Sequence, residues 1–142
     1  MKVDKERVKK YLYDILSNVR DIEGILKGHS EDEIVSDKHL LKSLKYSLVE
    51  VSEAMSLALQ HILAKHYGIP VKGYIDTVKK ASDAGIISKE LSASLKPFFD
   101  FRNSLVHRYW VIDDVKLLNN CKTGYKDFLA FIGAVEGVLG KV

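Results

Sequence analysis

Apolar residues in this chain recur at intervals of three and four and do not alternate as strands require, so the pattern predicts helices throughout. Asp4 suits the N-cap of a first helix, with Val3 and Val8 placed as a hydrophobic staple and Leu12, Ile15, Val19, Ile22 and Leu26 forming its stripe. Gly28 is its expected end. Beyond the polar connector GHSEDEIVSD, a second helix is expected from near Asp37, carrying Leu41, Leu44, Leu48, Val51, Met55, Ala58 and Ile62. Gly68 and Pro70 stop it. At ~1.5 Å per residue its length would be about 45 Å, enough to act as the spine of a bundle.

The second half reads as shorter pieces. A helix is expected over Tyr74 to Asp83, then a turn at Gly85, then Ser88 as the N-cap for Leu91 and Leu95. Pro97 interrupts that pattern, and proline fits best in a first helical turn, so residues 97 to about 107 are expected to form a new or kinked helix bearing Phe98, Phe101 and Leu105. Asp113 or Asp114 should cap the last helix, whose stripe is Val115, Leu118, Tyr125, Phe128, Ile132, Val135 and Leu139. The expectation is an all-α, up-and-down bundle of four long helices plus one or two short ones, a single domain over residues 1–142.

Composition narrows what such a bundle can do. The 22 Lys and Arg exceed the 19 Asp and Glu by only three, too few for a dedicated nucleic-acid binder, so any chemistry on a polyanion must use local charge. Cys121 is the only cysteine, which excludes an intrachain disulfide and a C-x-x-C motif and fits a reducing, cytoplasmic setting. No apolar run reaches the roughly 18 residues that a membrane span needs, and MKVDKERVKKYLYDIL lacks the clean apolar region of an export signal. His61 and His66 are five apart and diverge on a helix, unlike the four-residue spacing of helical zinc pairs. No Walker loop, nucleophile elbow or dinucleotide fingerprint is present.

The densest polar segment is FRNSLVHRYW, residues 101–110. At about 100° per residue, Asn103 and His107 share one helix face and Arg102 and Tyr109 share another, while Arg102 and His107 stand about 140° apart. Either the helix ends before His107, or two copies of the motif face each other across a symmetric interface. Taken alone, these residues also suit packing roles: Arg and Tyr at helix ends snorkel over apolar neighbours, and a histidine near a C-terminus complements the helix dipole.

From Leu44 to about Leu118 the chain resembles the HepT family of the HEPN superfamily. Arg102, His107 and Tyr109 match its motif of arginine, any four residues, histidine, any residue, tyrosine, without a gap, and Asn103 and Phe101 fit its usual start. EVSEAMSLALQHI is similar to the family's long second helix, and YGIPVKGYIDTVKKASDAGIIS to its stop, short helix and glycine turn. The resemblance implies a homodimer with two opposed motifs in a shared cleft, metal-independent cleavage of RNA with no cofactor, and a partner antitoxin of the MNT nucleotidyltransferase kind. DNA and membranes are not expected partners. It also implies that the antitoxin transfers AMP to Tyr109.

The residue types suit that chemistry. A neutral imidazole at His107 can take a proton from a ribose 2′-hydroxyl near neutral pH, and the guanidinium of Arg102 can hold a phosphate and stabilise the charge that builds on it. Asn103 is a candidate to orient the imidazole and equally suits a plain helix-surface role, and Arg108 and Lys96 are candidates to steer RNA, though solvated charge is the simpler account of both. Glu53 is expected to support the bundle and Tyr74 to pack near the cleft. A second reading is a helical partner of a nucleotidyltransferase that binds phosphate without cutting RNA; the intact Arg102, His107 and Tyr109 set favours catalysis.

Overall fold

The computed structural model describes residues 2–106 and 113–142, with residues 105 and 106 described by their backbone alone. Six helices are found among them: α1 (Lys5–Gly28), α2 (Glu31–Ser36), α3 (Lys38–Ile62), α4 (Gly73–Asp83), α5 (Lys89–Val106) and α6 (Asp114–Leu139). No strand occurs among the described residues.

α1 starts as its sequence dictates. The Asp4 carboxylate accepts from the Arg7 N–H, and Val8, Leu12, Ile15, Val19 and Ile22 are buried against α3 and α6. Leu26 is half-buried, and the helix ends at Gly28 because His29 turns extended. α3 is the predicted spine. Asp37 caps it, accepting from His39 and Leu40, and its buried stripe runs from Leu41 to Ile62 before one π-helical turn, Leu63–Tyr67, carries it to Gly68. That glycine has φ +67°, a left-handed geometry that an L side chain rarely adopts.

Three expectations need correcting. The connector after Gly28 contains α2, closed by reciprocal bonds between Ser30 and Glu33 and burying Ile34; a helix this short has no periodicity to read, and its signal was the capping pair itself. Lys122 of α6 pairs with Glu31 and anchors it. Pro97 starts no new helix: α5 runs through it from Lys89 to Val106. Its ring removes one donor, to the Ala93 carbonyl, but Leu95, Phe98 and Phe99 on both sides are buried in one core, and that packing outweighs a single lost bond. The last stripe is also rotated. Asp113 caps α6 through Lys116, but Val115 is 54% exposed and Ile132 half-buried, while Leu117, Cys121 and Phe131 face inward with Leu118, Tyr125, Phe128, Val135 and Leu139.

Buried side chains from all six helices form one continuous core. α5 lies against α4, α6 and α3. Its approach to α6 is close: the Phe98 ring stands edge-on to Phe128 at 4.7 Å and covers Gly124, where an added Cβ would meet the ring at 2.8 and 2.9 Å. This packing fixes where α5 presents its polar residues.

Candidate active site

The site is built where α5 crosses α3. There the buried Ser52 hydroxyl donates to the Phe98 carbonyl at 3.3 Å, one residue from the position of Glu53, and sets the register of the two helices. In that register Arg102 meets Glu53. Nε and Nη2 of the guanidinium both donate to Oε1 of Glu53, at 3.0 and 2.6 Å, and these bonds leave Nη1 outside them. The Arg102 side chain keeps 18% of its exposure and Glu53 keeps 43%, so the pair is open on the carboxylate side.

Below the guanidinium lies Tyr74, its ring centroid 5.2 Å from Arg102 Cζ, a cation–π distance. Tyr74 is placed by the first turn of α4, which begins at Gly73 with φ +81°, and its ring leans on the buried Phe99 at 6.3 Å. Burial pushes the Tyr74 phenol above its usual pKa despite the opposing pull of Arg102, so it remains neutral at physiological pH. Arg102 is thus clamped on one edge by a carboxylate and on one face by an aromatic ring. Such a guanidinium is oriented before any ligand arrives, which suits bidentate capture of a phosphate or carboxylate.

One turn before Glu53 stands Glu50, whose carboxylate beside the exposed Tyr46 holds that phenol above its usual pKa. The α3 side of Arg102 is therefore acidic. Asn103 is half-buried on α5, and Lys96 is exposed and paired with Asp100 at 2.6 Å. His107, Arg108 and Tyr109 lie outside the described residues. The structure thus joins Arg102 to Glu53 and Tyr74, the two residues expected only to support the bundle and line the cleft. A signal for Glu53 was present: a carboxylate set between Val51, Ser52, Ala54 and Met55, where every neighbour is destined for the interior or its edge.

The other candidates play structural parts. His61 accepts the Asp4 N–H on Nε2 at 2.9 Å, tying α1 to the end of α3, and burial lowers its pKa and favours the neutral ring. Burial pushes the Cys121 thiol up to about 12, which rules it out as a nucleophile. Among the described residues no group of three or more His, Cys, Asp or Glu is placed to hold a metal ion, and no helix is long and apolar enough to cross a membrane.

Residues 15–135 match the family model described as ribonuclease HepT-like. A protein of Archaeoglobus fulgidus named "Putative RNase" is 34% identical over 122 residues, 85% of this chain and 92% of that protein. Among solved structures, a tri-AMPylated Shewanella oneidensis HEPN toxin in complex with MNT antitoxin superposes with a TM-score of 0.84 at 19% identity, over 92% of this chain and 97% of that one. A toxin–antitoxin structure with AMP-PNP gives 0.81 at 19% identity, over 91% and 97%. At that identity the likeness establishes the helical fold.

Proposed function

Because this chain belongs to the ribonuclease HepT-like family, we propose that it is the toxin of a toxin–antitoxin pair, a cytoplasmic endoribonuclease that cuts RNA without a metal ion. The observation that carries this reading is Arg102, the first residue of the R-x4-H-x-Y motif, held by Glu53 over Tyr74 as a preorganised anion clamp.

In this mechanism the phosphate of an RNA strand docks on Arg102. His107 takes the proton of the neighbouring 2′-hydroxyl, whose oxygen attacks phosphorus as the P–O5′ bond breaks. The leaving O5′ takes a proton from His107 of the partner subunit, across a homodimer in which two motifs share one cleft. A 2′,3′-cyclic phosphate and a 5′-hydroxyl end result. Arg102 acts most strongly in the five-coordinate transition state, where the negative charge is greatest. Asn103 orients the imidazole.

Control falls to Tyr109. In the Shewanella oneidensis structure a tri-AMPylated HEPN toxin is in complex with an MNT antitoxin. AMP placed on the Tyr109 hydroxyl by a nucleotidyltransferase would bring a phosphate to the positive charge that RNA needs, and so silence cleavage.

The test is incubation of purified protein with RNA in excess chelator. Cyclic phosphate ends should accumulate, and His107→Ala or Arg102→Ala should each lower the rate by about a hundredfold or more with unchanged circular dichroism. A requirement for added magnesium, or activity surviving both changes, refutes the assignment.

A further inference from the structure

α4 and α5, joined through the Gly85 turn, leave between them a groove floored by Ile75, Val78 and Ala93 and rimmed by Lys79, Lys89 and Lys96. On its floor Ile75 is 43% exposed and Val78 is buried. Phe99, at one end of the groove, is the residue on which Tyr74 leans, and Tyr74 in turn carries Arg102. The groove therefore lies beyond Tyr74 and Phe99 from the guanidinium. On α5 its lysines lie about 9 Å (Lys96) and about 20 Å (Lys89) before Arg102 along the axis and about 120° and 140° around it, at ~1.5 Å and about 100° per helical residue, so a strand from Arg102 reaches them by passing over the α4 side.

Charge around Arg102 is lopsided. The α3 side carries Glu53 and Glu50. The groove side carries the three lysines against Asp83, and among the described residues neither Lys79 nor Lys89 is paired with a carboxylate, whereas Lys96 is paired with Asp100. A polyanion seated on Arg102 is repelled toward the groove and cannot continue over α3 without passing two carboxylates. We propose that the α4–α5 groove is the path of single-stranded RNA flanking the cleaved phosphate, with the base faces on Ile75 and Ala93 and the phosphates on Lys79 and Lys89. This rests on the ribonuclease reading and adds to it the part of the substrate that lies outside the cleavage point. An aliphatic floor gives the bases contact without hydrogen-bond readout, so the path accepts any sequence and discriminates by strandedness, since a duplex hides its base faces.

The probe is oligouridylate methylated at every 2′-oxygen, which cannot be cut, read by fluorescence anisotropy at several salt concentrations. Lys79→Ala combined with Lys89→Ala should weaken an oligomer of about 16 nucleotides at least about tenfold, leave one of about 4 nucleotides unchanged, and lower the salt slope of binding by about one per lysine. Lys80→Ala serves as the control, because Lys80 is engaged with Asp76 and the Pro70 carbonyl. Equal weakening of both lengths, or the same loss in the control, overturns the path and leaves diffuse charge. Wild-type protein that binds the long probe yet leaves unmethylated RNA intact removes the ribonuclease reading while the path stands. Protein that cuts RNA with the double variant unaffected removes the path alone. Unchanged RNA affinity in the double variant, with Ile75→Lys instead releasing a bound nucleotidyltransferase, makes the groove a protein-docking surface and also overturns the proposal.

Discussion

Glu53 has two opposed effects on Arg102: it fixes the plane of the guanidinium above Tyr74, and it offsets part of the charge that an incoming phosphate would meet. Removing the carboxylate should therefore separate binding from chemistry. Glu53→Ala is expected to leave KM for RNA unchanged or lower it, because the cation is freed, while kcat falls about tenfold to a hundredfold as the guanidinium loses its aim. Glu53→Asp should recover part of kcat. A parallel rise in KM and loss of folding would reduce Glu53 to a bundle support. The other residue-scale consequence concerns His61. Its pKa is lowered on folding, so the unfolded chain binds the proton more readily; this contribution to stability is complete above the ordinary histidine value of about 6.5 and is lost as pH falls through that value toward the lowered one. Protonation also converts Nε2 from acceptor to donor and breaks its bond with the Asp4 N–H. Thermal melts between pH 7.5 and 5 should show Tm falling with pH, and His61→Gln, which keeps an acceptor, should flatten that fall; parallel curves for the two proteins would remove His61 from the account.

At the scale of the element, the contact of α5 with α6 predicts opposite outcomes for the same substitution at two glycines of one helix. Gly124→Ala drives a methyl group into the Phe98 ring and should destabilise by about 1–3 kcal/mol, whereas Gly133→Ala meets nothing within 4 Å and should stabilise by roughly 0.5–1 kcal/mol through helix propensity. Chemical denaturation of both would decide it, and equal shifts would mean that Phe98 yields freely. The three longest helices, α1, α3 and α6, were legible because each buries one stripe at a fixed period and each is capped by an aspartate, at positions 4, 37 and 113, whose bonds the structure shows. What escaped has a common cause. α2 is too short to show a period; Pro97 breaks a local rule that tertiary packing overrides; Leu117 and Leu118, or Phe128 and Phe131, give α6 more apolar residues than one face needs, so its seam could be drawn through Val115 or through Cys121 with equal regularity. In the site, Arg102 was legible as part of a motif. The pairing with Glu53 was not, because the two residues are 49 positions apart and only the packing of α5 on α3 brings them together, even though a carboxylate among buried neighbours marks Glu53 itself.

For the whole molecule, the proposed two-fold arrangement would build one cleft from the residues of both chains. Light scattering at micromolar concentration should therefore give about 32 kDa, twice the 16.0 kDa of the chain, and an excess of His107→Ala protein should suppress wild-type cleavage, because a hybrid dimer keeps only one of the two histidines. A monomer that cuts RNA would refute the shared cleft. Cys121 offers a way to follow such assemblies without any assay of cleavage. It is fully buried on α6, and a thiol held near a pKa of 12 is inert to alkylating reagents until the bundle opens. Its labelling half-time is thus a gauge of how often the native state is lost. Every ligand that binds only the folded protein must lengthen that half-time in inverse proportion to the fraction of protein it leaves unbound. The lone cysteine can therefore weigh RNA, AMP modification and antitoxin against one another on a single stability scale.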